Sequence, residues 1–518
     1  MLEALTLSFQ GRWSLVFPML LPRLRKFCRK SELIPTTLLC LNQTSIVTRR
    51  HRLCFARAMI WCGVVFVAQA QTNYQRILSF GPSALLGSAP RGQLAEASDG
   101  FLYGTTYQGG SNNVGTVFRV AKNGAGFVRL WNLTNAMFPT AGVIEGPGGA
   151  LYGTTSGGGT NNTGTVFRLQ KDGGGFTVLH NFSSFAGDGN TPLAGVVVGA
   201  DGALYGTTVG GGSSNYGCLY SLNPDGSGFT IIHSFSGIDG ASPVAGLIQG
   251  KSGAFYGTTR TGGSNNLGTV FALGPDGGKY WVLHHFVGKD LNDGGLPLGG
   301  LIEAGPGILF GTTYSGGTAA DLGTIFEIST NGADYAVLHA FQGGAGDGSL
   351  AVAGLSQVSG GGVLYGTTPH GGTTDGGVFF RIRDDGTGYS VLHTFDGTVG
   401  DGSFPFIIPL VGSDHAIYGS TYFGGAYVTN GVSGTLFRLF SGPPPIAITK
   451  IASSPAGVAL EFVGGAAGQF CRIQAATDPS AGDWQVIGTN SAALDGTFRF
   501  LDITASNYPG RFYRSASP

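Results

Sequence analysis

Leu151-Tyr-Gly-Thr-Thr155, then Gly164-Thr-Val-Phe-Arg-Leu169, then Phe176-Thr-Val-Leu-His-Asn-Phe182 is one turn of a pattern that runs through most of this chain. Its first aromatic recurs at Tyr103, Tyr152, Tyr205, Tyr256, Phe310, Tyr365 and Tyr418, seven copies spaced by about fifty residues. A repeat of that length, rich in short strands and turns, reads as a propeller blade. In the third copy the apolar runs bounded by glycine place strand a at 194–198, b at 204–208, c at 218–222 and d at 229–235. The small residues Ala194-Gly195 at the start of strand a suit the innermost position, where neighbouring blades crowd the axis.

The copies are out of phase at the two ends. A lone d strand, Tyr74 to Phe80, precedes the first copy, and the last copy stops at strand c, Gly434 to Phe440. The pattern therefore predicts an all-β, seven-bladed β-propeller over 74–441, closed by the N-terminal strand as the outer strand of the last blade. Closure removes the open edge that a linear stack leaves exposed.

Glycine is 93 of 518 residues, charged residues are 11% and aromatics 11%, a composition with enough apolar bulk for a packed core. The net charge of zero is a composite. Residues 1–58 carry ten Lys or Arg against two acidic residues, leaving a net of about −8 on the remainder. That balance excludes a nucleic-acid groove, which needs clustered basic charge. Arg49, Arg50, Arg52 and Arg57 precede an apolar run, Ala58 to Ala68, and then Ala68-Gln-Ala70, the order of a secretory signal. Residues 1–70 read as a leader with its signal core at about 47–70 and cleavage between Ala70 and Gln71; for the unusual length ahead of it there are two readings, translation starting near Val47 or a long basic leader. The run is too short for a transmembrane helix. Four of six cysteines lie in the leader, and Cys218 and Cys471 imply no disulfide framework.

Pro443-Pro-Pro445 marks a linker at 442–445, and the short strands that follow, over 446–518, predict a small β-sandwich with Trp484 as its core plug. The repeat, Leu-Tyr-Gly-Thr-Thr followed by Gly-Gly and Gly-Thr-Val-Phe, resembles the GloVer tandem repeat of exported bacterial proteins with a choice of anchor. The tail, with Phe470-Cys-Arg-Ile-Gln-Ala-Ala-Thr-Asp478, Trp484 and Arg511-Phe-Tyr-Arg514, is similar to fibronectin type III-like C-terminal domains of such proteins. The resemblance implies export and an exchangeable attachment module, and it brings no catalytic residues.

Repeats permit an internal comparison: shared positions serve the fold, and divergent ones are free for function. On strand d, His180, His233, His284, His339 and His393 occupy one site, and the loops that follow carry Asp188, Asp239, Asp293, Asp347 and Asp401 in the same five copies. The other two copies have Leu78 and Trp131 and no such Asp. This co-occurrence predicts a structural His/Asp clip, the imidazole sharing strand parity with Phe176, Val178 and Phe182. Asn113, Asn162, Asn215, Asn266, Asp321 and Asp375, each two residues before a Gly, read as left-handed turn residues, with calcium binding the functional alternative. Asp290-Leu-Asn-Asp-Gly-Gly295 lacks a calcium loop's closing glutamate and reads as a turn. There is no Gly-x-Ser-x-Gly, no His-Glu-x-x-His and no cysteine metal pair, so no catalytic residue, metal or cofactor is expected. Acidic residues gathered from separate blades leave no linear motif, so an enzyme is not excluded.

The positions just after Gly-Thr-Thr diverge between copies and include Tyr107, Gln108, Arg260, Tyr314, His370, Tyr422 and Phe423. Aromatics beside an Arg stack on and hydrogen-bond sugars. These residues are the candidate ligand site. The chain reads as a secreted or cell-surface, non-catalytic binding scaffold for an extracellular glycan or surface protein. The alternatives are a propeller hydrolase or lyase acting on polysaccharide and a structural surface-layer component.

Overall fold

Why Leu-Tyr-Gly-Thr-Thr repeats is visible in its contacts. The computed structural model describes residues 74–516 apart from 82–85, 186, 276, 359–361, 428–432, 441–446, 455–456, 464–469, 478–483, 492–496 and 506–510. The leader with its signal and the Pro-rich linker lie outside the described residues. The motif forms strand b, and its first residue is fully buried in every copy, from Leu102 to Ile417. The glycine lies under the aromatic of strand c: a Cβ on Gly153 would sit 2.5 Å from Phe167 Cζ. The first threonine reaches the next repeat, as when Thr154 Oγ1 donates to Ala194 O at 2.7 Å and Thr312 Oγ1 to Ala353 O at 2.7 Å. The second joins strand b to strand c through Thr155 Oγ1 and Thr165 Oγ1, 2.8 Å apart.

Seven four-stranded antiparallel sheets result. Six take their strands consecutively; the third, for example, runs Val197–Val198, Leu204–Thr208, Cys218–Leu222 and Thr230–Ser234. The seventh orders Leu410–Val411, Ala416–Thr421, Thr435–Phe440 and, outermost, Gln75–Ser79 from the other end of the repeat region. Arg76 pairs with Phe437 and Ser79 with Thr435. The fold is all-β and propeller-like.

The core lies between sheets. Tyr152, Val166 and Phe182 of the second sheet meet Val196, Leu204 and Tyr220 of the third. Phe80, Tyr418 and Leu436 of the seventh meet Leu94, Leu102 and Phe118 of the first. Strand a is short, two residues in most sheets, because the segment before it is drawn against its neighbours: a Cβ on Gly142 would sit 1.8 Å from Gln93 O, and one on Gly354 2.4 Å from Gly300 O. These segments from all seven sheets line one cavity of about 1040 Å³.

Two expectations need correction. Strand parity holds from His180 to Phe182, whose rings meet edge-on at 4.8 Å, but not back to Val178, because each d strand carries a β-bulge: Val166 pairs with His180 and Phe167 with Val178, leaving Leu179 between them. Leu179 packs against the core there, while the imidazole is placed by other contacts. In the C-terminal region, six strands from Ala447–Ser454 to Phe512–Ala516 form two three-stranded sheets. Their shared core is Leu460, Phe462 and Ile473 with Phe500 and Tyr513. Trp484 is only half-buried, just before the edge strand Gln485–Ser491, and is not the plug.

Candidate ligand-binding mouth

Each loop leaving strand d pairs with the b–c loop of the following sheet, as Gly189–Asn190 does with Gly210–Gly211, so both loops lie at one end of the cavity. One residue of this connection, followed by proline in six copies and by Ala351 in the sixth, holds a left-handed φ in every copy, from Ala89 (56°) through Phe138 (60°) to Phe404 (57°). A bulky residue there is strained. Two backbone bonds hold it: Phe138 N donates to Val114 O at 2.8 Å, and Phe138 O accepts from Ser156 N at 3.1 Å. The b–c loops use Asn and Asp for turn geometry. Asn162 has φ 58° and its Oδ1 accepts from Gly158 N at 3.0 Å; Asp321 has φ 59° and accepts from Gly316 N at 2.7 Å. Among the described residues, no three His, Cys, Asp or Glu side chains are gathered as a metal site requires. Asp290 lies in a single 3-10 turn, Lys289–Leu291.

The five His and Asp residues meet in pairs. Nε2 lies 3.2 Å from the carboxylate in His180–Asp188, 3.0 Å in His233–Asp239 and His284–Asp293, 3.1 Å in His339–Asp347 and 3.0 Å in His393–Asp401. Each imidazole also stacks flat on an aromatic that opens strand d of the next sheet: His180 on Phe229 at 3.7 Å, His233 on Tyr280 at 3.8 Å and His393 on Tyr74 at 3.7 Å. Sequence reading missed this partner, although an aromatic stands at that position in each copy. Burial pushes the Asp293, Asp347 and Asp401 carboxyls up, but hydrogen bonds from the histidines and neighbouring groups outweigh it and hold them below their ordinary value. Burial depresses the His233 imidazole, against the opposing pull of Asp239.

The residues expected at the rim divide into groups. Tyr107 of the first sheet and Tyr422 of the seventh converge on Arg91, whose guanidinium carbon lies 5.1 Å and 5.2 Å from their ring centroids and 5.7 Å from that of Phe406. Phe423 packs edge-on against Tyr422 at 4.6 Å and against Phe404 at 5.6 Å. His370 adds an edge contact to Phe404 at 5.2 Å, its Nδ1 3.1 Å from Asp375. Gln108 is a backbone bridge to Ser88. Arg260 is exposed and Tyr314 half-buried on the fourth and fifth sheets, and among the described residues no ring or cation contact joins them to this cluster. Arg91 and Phe406, which sequence reading did not single out, line the cavity. The signal was the second residue after the left-handed one before strand a: Arg91 and Phe406 stand where the other copies have Thr140, Leu193, Val244, Leu298 and Val352.

At the other end of strand a the cavity's acidic residues, Glu96, Glu145 and Glu303, are committed to neighbouring turns. Glu145 accepts from Ser98 N at 2.6 Å, Glu303 from Lys251 N at 2.7 Å and Glu96 from Ser413 N at 2.8 Å. Lys171 and Lys122 pair with Glu145 and Glu96. Burial raises both of these carboxyls, and the lysine and serine bonds more than reverse it. The carboxylates lining this cavity are thus joints between sheets.

The chain belongs to the Gloeobacter/Verrucomicrobia repeat family, whose profile matches residues 61–197 and 139–361. No curated protein sequence matches it. Among solved structures it is similar to a GH74 xyloglucanase from Xanthomonas campestris, at 14% identity over 76% of this chain and 60% of that one, TM-score 0.46. It is also similar to an oligogalacturonate lyase in complex with manganese, at 12% identity over 72% of this chain and 98% of that one, TM-score 0.43. A gluconolactonase, XC5397 from Xanthomonas campestris, matches at 16% identity over 70% and 98% of the two chains, TM-score 0.35.

Proposed function

We propose that this protein is an exported or cell-surface, non-catalytic scaffold that binds an extracellular glycan at the mouth around Arg91. In this reading the seven sheets are the blades of a closed propeller. The seventh sheet's outer strand from Gln75–Ser79 and the cavity lined from all seven sheets support closure. The leader is a cleaved secretory signal, the His/Asp pairs clip blades together, and the C-terminal sheets are a fibronectin type III-like attachment module.

One observation carries the binding reading. The structural positions repeat almost unchanged around the seven sheets, and an aromatic cluster forms at one sector, where Tyr107, Tyr422 and Phe406 surround Arg91 and the exposed Phe423 packs on Tyr422. Fold constraints do not demand it, and aromatic faces beside polar donors are how proteins hold sugar rings. The bonds that tie up Glu96, Glu145 and Glu303 favour binding over acid–base hydrolysis.

The test is to screen the chain on bacterial and plant polysaccharides beside two variants, Tyr107→Ala/Tyr422→Ala/Phe423→Ala and Arg260→Ala/Tyr314→Ala. Binding without turnover, lost in the first variant and kept in the second, is expected. Full affinity in the first variant moves the site elsewhere, and release of reducing ends or unsaturated products replaces the scaffold with an enzyme.

A further inference from the structure

Arg91 is placed by rings that cannot satisfy it. Three aromatic faces fix the guanidinium through cation–π attraction at 5.1 to 5.7 Å. A guanidinium has five N–H donors in a planar fork, and a π face offers them no lone pair. Among the described residues, no carboxylate, carbonyl or hydroxyl is hydrogen-bonded to Arg91, and the side chain is only half-buried at the wall of the cavity. Arg511, by contrast, is met by the Asp502 carboxylate at 2.8 Å.

The surroundings of Arg91 are unique within the repeat. Two residues along, Gln93 is exposed to the cavity, at the position that is Gly142, Gly195, Gly246, Gly300 and Gly354 in five other copies. A long hydrogen-bonding side chain thus lines the cavity two residues from Arg91, where five copies have glycine and the seventh has the apolar Ile408. The cavity's carboxylates stand at the far end of strand a and are already bonded, so no internal anion competes for Arg91.

We infer that the glycan taken at this mouth is acidic: Arg91 receives the carboxylate of a uronic acid residue in a forked pair of N–H···O bonds, and Gln93 hydrogen-bonds a neighbouring hydroxyl. A planar carboxylate matches the guanidinium fork. Tyr107 and Tyr422 keep that fork preorganised, so little side-chain entropy is lost on binding. This inference rests on the glycan reading above.

The experiment titrates the full chain with a uronic acid polysaccharide, the same polymer carboxyl-reduced to its neutral form, and a neutral polysaccharide bearing sulfate esters. Carboxyl reduction is expected to weaken binding by about ten- to a hundredfold, the range that a charge-assisted hydrogen bond implies. Arg91→Gln should bind the acidic and reduced polymers alike, at the weaker level, and Arg91→Lys, which keeps charge but loses the fork, should recover only part of the difference. Thermal melts of both variants report folding. Should Arg91→Gln fail to fold, the comparison of the two polymers on the unaltered chain still decides. Equal affinity of the unaltered chain for both forms overturns the inference and leaves glycan binding standing. Preference for the sulfated polymer overturns the carboxylate assignment. Binding to no glycan in the wider screen removes the parent reading, and the inference with it.

Discussion

Phe80→Ala tests whether the two ends of the repeat region are joined, because the repeat supplies its own control. Phe80 ends the N-terminal strand and is fully buried, with ring centroids 5.3 Å from Phe118 and 6.1 Å from Phe127. Phe182 occupies the same position inside the chain, fully buried, 5.2 Å from Tyr220 and 6.1 Å from Phe229. Removing a buried phenylalanine costs about 3–5 kcal/mol in lost transfer energy and residual cavity. Matched geometry then predicts matched losses from Phe80→Ala and Phe182→Ala. Phe80 cannot be buried unless the strand from one end of the chain is packed between the seventh sheet and the first, where its cluster includes Leu436, Tyr418, Leu102 and Leu94. Urea unfolding of the two variants and the parent, followed by tryptophan fluorescence, gives the comparison. A loss below about 0.5 kcal/mol for Phe80→Ala, the range of surface substitutions, beside a full loss for Phe182→Ala refutes the joined ring.

The other predictions use the clip, the acid side of the stability curve and the strand-b glycine. His233→Ala removes a bond to Asp239 and a stack on Tyr280 and should cost roughly 1–3 kcal/mol; a double-mutant cycle with Asp239→Ala should be non-additive, and additivity within about 0.5 kcal/mol disproves the coupling. Asp293, Asp347 and Asp401 have carboxyls depressed by folding, so the unfolded chain binds protons more readily in acid. Their contribution is complete above an unfolded pKa of about 3.9 and is lost as pH falls through the folded value. The depressed His233 acts in the same direction, starting near an unfolded pKa of about 6.5. The melting temperature should therefore fall on acidification from neutral pH, with the steepest part below pH of about 4, and a rise refutes the assignment. Gly311→Ala places a Cβ 2.5 Å from Phe326 Cζ and 2.8 Å from Leu301 Cδ2 and should cost about 1–3 kcal/mol by overpacking; an unchanged unfolding midpoint contradicts the close approach.

Much of the architecture was legible because strand, turn and threonine chemistry is local and repeats. The strand-b boundaries at Leu204–Thr208 and the unpaired d strand at the N-terminus follow from the pattern alone. The pairing of His with Asp was also readable, since five copies covary and two copies lack both. Strand parity failed at Leu179 because a bulge is a property of two paired strands, and the spacing in one of them carries no trace of it.

The mouth shows the same division. Sequence divergence marked Tyr107, Tyr422 and Phe423 as free of fold constraint but also marked Arg260 and Tyr314, and it had no means of separating the two sets. Completing the seventh sheet with Gln75–Ser79 from the start of the repeat region brings the first and seventh sheets together and sets Tyr107 and Tyr422, more than three hundred residues apart, on either side of Arg91. Arg91 itself looked like an ordinary residue after a proline. By itself the sequence determined the repeat, the strands and the residues available for recognition, because these depend on neighbours a few positions away. The tertiary structure alone decided which of them share a surface, because that depends on which distant strands join one sheet, as Gln75–Ser79 joins Thr435–Phe440.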